Sequence, residues 1–157
     1  MVTVRVPASC ANLGPGFDCL GMALSLYAEI SFSLREEGLS VTGCPAEFSG
    51  RENLVYRAFA HAARAFGKAV PGLAIRMRSD IPPARGLGSS AALITAGVMG
   101  AGRLLGLPLT REEALQLCAG LEGHPDNAAA AVYGGLQASL QEGEGFHTAA
   151  FSLHPAW

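Results

Sequence analysis

The segment from Ser79 to Gly97, reading SDIPPARGLGSSAALITAG, constrains the fold of this chain more than any other. Pro82 and Pro83 stiffen a loop that passes through Gly86 and Gly88, and from Ser89 onward the residues are small, apolar and helix-compatible. A glycine-rich loop therefore runs into a helix N-terminus. Glycines admit positive φ and let main-chain N–H groups approach a ligand, while the first helical turn supplies unpaired donors and a partial positive charge. Phosphate is the natural guest. Ser89 and Ser90 add hydroxyls, one able to cap the helix and the other able to reach a phosphate oxygen or a phosphate-bound magnesium ion. The same residues also serve as an ordinary helix start with Ser89 as N-cap. The loop is neither a Walker motif, which ends in GK[ST], nor a GxGxxG dinucleotide fingerprint.

The chain has 157 residues, half of them apolar, which fits one folded domain with a substantial core. The N-terminus MVTVRVPAS lacks the basic start and long apolar centre of a signal peptide, and no run of 18 apolar residues occurs. A cytoplasmic protein with no membrane contact is expected. A net charge of −2 with scattered basic residues argues against a nucleic-acid surface. Cys10, Cys19, Cys44 and Cys118 have no CxxC spacing and read as reduced thiols in or near the core.

In order, Val2, Val4 and Val6 alternate with polar residues as in a half-buried strand. Residues 8–21, ASCANLGPGFDCLG, read as a turn carrying Ser9, Asn12 and Asp18, before a strand near Tyr27–Leu34 whose Ala28, Ile30, Phe32 and Leu34 share a face. A short strand is expected at Leu39–Thr42. Asn53 then caps a helix with Leu54, Val55, Ala58, Phe59, Ala62 and Phe66 on one stripe. Leu73, Ile75 and Met77 form a strand that feeds the glycine loop. The following helix, Ser89 to about Leu105, is rich in Ala and Gly and should be the close-packed central helix. Thr110 with Glu113 forms a capping box for the next helix. The run EGHPDN, Glu122 to Asn127, sets two carboxylates, an imidazole and an amide within six residues. Its plain reading is a turn at His124–Pro125 with Asp126 capping a short helix closed by Gly134 and Gly135. Strands near Leu136–Leu140 and Thr148–Leu153 finish the chain, which ends HPAW.

Taken together, PASCANLGPGFDCLG, PPARGLGSSAA and LEGHPDNAAAAVYGG resemble the GHMP family of small-molecule kinases, in a form that looks most like its homoserine-phosphorylating branch. The resemblance implies an α+β fold, the ribosomal-S5-like N-terminal domain of that family with a left-handed βαβ crossover. Family members are about twice this length, so residues 1–157 would be the ATP-binding domain, with the C-terminal ferredoxin-like domain absent. It implies that ATP lies along Pro83, Ala84, Arg85, Gly86, Leu87, Gly88, Ser89, Ser90 and Ala91, with Asn53 on the adenine side. Magnesium would be bound by Ser90, or Ser89, and Glu122. Homoserine would be held by Asn12, Asp18 and Asn127, and in-line transfer to its hydroxyl would make the phosphate ester of threonine biosynthesis. Asp18 suits an ammonium group; Asn127 and, as a candidate base, Asp126 suit the reacting end, although Asp126 would equally serve to hold Asn127. A mevalonate- or sugar-type acceptor and a non-catalytic module of the same fold are the alternatives. The surface that a second domain would cover should be apolar and favour a homodimer.

Overall fold

The computed structural model describes residues 1–152. A long antiparallel hairpin dominates it: β1 (Val2–Leu13) runs beside β2 (Gly16–Arg35), from Val2 opposite Phe32 to Leu13 opposite Gly16. Between Pro7 and Ala8 the register jumps from Tyr27 to Leu24, so Ser25 and Leu26 bulge out of β2. The bulge divides the other edge of β2 between two partners. β4 (Gly72–Ser79) pairs antiparallel with Ala28–Arg35, and β5 (Leu136–Glu142) pairs antiparallel with Leu20–Met22. β3 (Leu39–Thr42) lies parallel to β4, and β6 (Gly145–Phe151) lies antiparallel to β5, which completes a mixed six-stranded sheet.

Four helices complete the fold. α1 (Leu54–Ala65) joins β3 to β4 and so makes the βαβ crossover. α2 (Ser89–Leu105) follows the glycine loop; α3 (Arg111–Glu122) and α4 (Asp126–Tyr133) follow in turn. Ala91, Ala92, Ile94, Ala96, Val98 and Ala101 of α2 are buried, which makes it the central helix its composition announces. The fit depends on missing side chains: a Cβ at Gly97 would lie 2.4 Å from the Val55 carbonyl oxygen, and one at Gly100 2.4 Å from the Phe32 ring. Phe32 stacks on Phe59 of α1 at 5.7 Å between centroids, and both are fully buried. Burying each such ring contributes about 1.5–3 kcal/mol.

Several expectations are corrected. Residues 8–21 are mostly paired strand, and the turn shrinks to Gly14–Pro15. Local composition signals a turn there, but cross-strand hydrogen bonding and the bulge absorb the glycines into a ladder. The N-cap of α2 is Gly88, with φ +61° and no side-chain cap bond, so neither serine caps it. α4 is preceded by Pro125 rather than capped by Asp126, which is its first residue. Leu34 is exposed despite its place on the apolar stripe. The last strand begins at Gly145, earlier than expected, and Leu153 and the HPAW end lie outside the described residues.

Candidate active site

The three segments that carried the chemistry in the sequence touch one another. On β1, the Ser9 N–H donates to the Leu87 carbonyl at 3.2 Å, and the Ser9 hydroxyl donates to Asn127 Oδ1 at 2.8 Å. A Cβ on Gly88 would sit 2.0 Å from Ser9 Oγ and 3.0 Å from Asn127 Oδ1. One on Gly21 would sit 2.1 Å from the Asp126 carbonyl oxygen. Hairpin, glycine loop and the start of α4 are thus in contact through backbone that only glycine permits.

The glycine loop alternates its backbone. Ala84, Gly86 and Gly88 have φ of +54°, +69° and +61°, and alternation of right- and left-handed residues is the backbone form from which anion-binding concavities are built. Ala84 is strained there, at a cost of order 1–3 kcal/mol. Pro83, Ala84, Arg85 and Gly86 are exposed, Leu87, Gly88 and Ser89 partly so, and Ala91 is buried. Just past the loop, the Ser90 hydroxyl donates to Glu122 Oε2 at 3.0 Å, joining the first turn of α2 to the last residue of α3. A hydroxyl and a carboxylate are hard oxygen donors of the kind magnesium takes. Among the described residues no cluster of three or more His, Cys, Asp or Glu could hold a metal. This pair fits a magnesium ion that draws its remaining ligands from phosphate and water, the habit of that ion.

Asp126 is only 1% exposed. Its Oδ1 accepts from the Asn127 N–H at 2.6 Å and from His124 Nδ1 at 2.8 Å. Through Oδ1 this enclosed carboxylate holds Asn127 and His124 in place, while its Oδ2 makes no hydrogen bond among the described residues.

Asn12 and Asp18 are brought together at the exposed hairpin tip, where the Asp18 N–H donates to Asn12 Oδ1 at 2.8 Å. Both have positive φ, +59° and +53°. The Asp18 carboxylate and Asn12 Nδ2 make no hydrogen bond among the described residues and face outward chemistry unspent. Asn53 stands apart. It is buried, its Oδ1 accepts from the Val55 and Tyr56 N–H groups, and its Nδ2 donates to the Phe48 carbonyl at 2.9 Å. Its oxygen caps α1, and its nitrogen ties that cap to the preceding turn at Phe48. The sequence places Ser9 and His124 in turns and gives neither a role in the site; Ser9 is fully buried, and nothing in its run of small residues marks its reach to Asn127. A cavity of about 470 Å³ between Val2–Arg5 and the Met99 and Arg103 side chains lies elsewhere and includes none of these groups.

Residues 53–135, just over half the chain, match the GHMP kinases N terminal domain. The chain belongs to the GHMP kinases. Its described structure is the N-terminal α+β domain of that family. It is 46% identical over 142 residues to a homoserine kinase of Clostridium botulinum, covering 90% of this chain and 48% of that protein. It is 44% identical over 160 residues to a homoserine kinase of Crocosphaera subtropica, covering 98% and 52%. The structure of a protein assigned as a homoserine kinase from Listeria monocytogenes superposes with a TM-score of 0.87 at 34% identity, over 95% of this chain and 53% of that one. The mevalonate kinase of Methanococcus jannaschii, at 16% identity and a TM-score of 0.71, shares the fold. The chain spans about half the length of the curated relatives it matches.

Proposed function

We propose that this chain is the ATP-binding domain of a GHMP kinase that transfers the γ-phosphoryl group of ATP to the side-chain hydroxyl of homoserine. The observation that carries the reading is the contact of Gly88 of the glycine loop with Ser9 and Asn127, with the Ser90–Glu122 oxygen pair two residues further along the same loop and helix. The phosphates of ATP bind the N–H groups of residues 83–91, at the positive end of α2. Asn53 acts on the adenine side by fixing the start of α1. Ser90 and Glu122 would hold magnesium, which neutralises phosphate charge when bound. Asp18 receives the substrate ammonium, Asn12 orients the substrate beside it, and Asn127 faces the reacting end. Phosphoryl transfer through a loose transition state relies on positioning and charge stabilisation, so an enclosed Asp126 costs the mechanism little. The homoserine acceptor is favoured over a mevalonate- or sugar-type alcohol by Asp18, which an acceptor without a cationic group would leave unpaired.

The test is calorimetry of the 157-residue chain with magnesium and ATP, followed by phosphate transfer to a panel of alcohols. Saturable nucleotide binding that Glu122→Gln weakens at least tenfold, with homoserine the preferred acceptor, is expected. With about half the relatives' length present, turnover should be slow. No binding at millimolar nucleotide, or a preference for an alcohol without an ammonium group, overturns the reading.

A further inference from the structure

We infer that Ser9 is a positioning residue that sets which end of the Asn127 amide faces the reaction. The inference rests on the kinase reading above for its functional consequence, and on geometry for its structural part. Ser9 is fully buried, and its hydroxyl donates to Asn127 Oδ1 at 2.8 Å. If the amide flipped, the serine proton would be left without a partner in a buried site, which costs a large share of a hydrogen bond to a donor with nowhere else to turn. The Asn127 carbonyl is therefore turned to Ser9, and Nδ2, which makes no hydrogen bond among the described residues, is the end left to address a ligand. An amide that presents only N–H donates; it cannot accept the proton of an attacking hydroxyl. Asn127 then binds lone pairs or negative charge, on the acceptor oxygen or a transferring phosphoryl oxygen, and does so in one fixed orientation.

The rest of the neighbourhood enforces the same choice. Asp126 Oδ1 accepts the Asn127 backbone N–H, which fixes the residue from below. The Ser9 N–H donates to the Leu87 carbonyl, and the Cα of Gly88 lies directly against Ser9 Oγ. One serine thus ties the orientation of the acceptor-side amide to the position of the phosphate loop. Ser9 touches no substrate in this arrangement and acts through Asn127.

Three measurements test this. By NMR of the ligand-free chain, the Asn127 side-chain amide should give one ordered pair of Nδ2 proton signals, which Ser9→Ala collapses toward the averaged position of an exposed asparagine and Ser9→Thr restores. In turnover, Ser9→Ala should lower kcat about tenfold with KM for ATP changed less than twofold, and Ser9→Thr should recover most of the loss; the tenfold figure is the worth of one hydrogen bond held in place. In an Asn127→Ala background, Ser9→Ala should have no further effect on kcat, because its route is removed. An Asn127 signal indifferent to Ser9→Ala, or full additivity of the two substitutions, overturns the inference while leaving the kinase reading intact. A chain that neither binds nucleotide nor turns over, yet shows the Ser9-dependent amide signal, overturns the kinase reading and keeps the positioning role.

Discussion

Replacing Gly88 with alanine is the sharpest probe of how the site is assembled, because two separable costs meet there. With φ at +61°, an L-residue pays about 1–2 kcal/mol for its backbone conformation. Its new Cβ would also stand 2.0 Å from Ser9 Oγ and 3.0 Å from both the Ser9 carbonyl oxygen and Asn127 Oδ1. Ser9 is fully buried, so it has no open space to retreat into, and forced overpacking of this kind costs about 1–3 kcal/mol. The sum, roughly 2–5 kcal/mol, is a large part of the ~5–15 kcal/mol that holds a domain folded. Gly86 supplies the control: its φ is +69°, but a Cβ there would meet nothing within 4 Å, so alanine pays only the ~1–2 kcal/mol conformational cost. Urea unfolding of the two variants should therefore show Gly88→Ala less stable than Gly86→Ala by at least about 1 kcal/mol, with unchanged m-values. Magnesium–ATP titrations should show the larger loss of affinity for Gly88→Ala. Equal stabilities would refute the reasoning, since Ser9 and Asn127 would then be yielding at no cost.

Gly100→Ala sets a helix-propensity gain of about 1 kcal/mol against a Cβ placed 2.4 Å from the buried Phe32 ring; overpacking should win, and a raised Tm would contradict the packing described. Burial, with a smaller contribution from the Glu122 charge, pushes the Cys118 thiol up to about 12, so a disulfide reagent at pH 8 should titrate Cys10, Cys19 and Cys44 quickly and Cys118 only on unfolding. The sign is that of a raised group: its contribution to stability is intact below the unfolded value of 9.0 and is lost as pH climbs toward 12. Glu113 is held below the usual carboxylate value, first by the Thr110 N–H and then by the Thr110 hydroxyl; its contribution is present above 4.5 and is lost as pH falls through the depressed value, so Glu113→Gln should flatten that acid limb of the urea midpoint. Exposed Phe17, Leu140 and Phe151 should drive self-association, and sedimentation showing a stable monomer across micromolar concentrations would count against it.

The helices were legible because their determinants are local. The Thr110–Glu113 box, the Asn53 cap and the α1 stripe of Val55, Ala58, Phe59 and Ala62 each lie within a few turns of chain, and the structure bears each one out. The hairpin was not legible past Val6, since pairing of Ala8–Leu13 with β2 is a contact between segments whose own composition says turn. The same distinction governs the caps. Gly88 displaces Ser89 at the head of α2 because its contacts with Ser9 and Asn127, residues remote in sequence, demand a left-handed glycine there.

The candidate site was legible in its parts and silent about its joints. Asn12, Asp18, Ser90, Glu122 and Asn127 are polar residues in conspicuous surroundings, and each announces chemistry by type. Asp126 stood out beside Asn127 as a candidate base or as its holder, but its burial was not legible, and Ser9 lies wholly inside, where no local pattern marks a hydroxyl. Strain points the same way. Among the described residues, those other than glycine with positive φ are Asn12, Asp18 and Ala84, and all three fall in the hairpin tip or the phosphate loop. Asn and Asp tolerate that region because a short polar side chain bonds locally, as Asn12 does with the Asp18 N–H. Alanine has no such relief, so the surrounding contacts must supply the free energy that keeps Ala84 there. Left-handed backbone concentrated at the two places where the proposed function would bind an anion and an ammonium group is what a preorganised site requires; a loop that merely connected β4 to α2 would relax out of it.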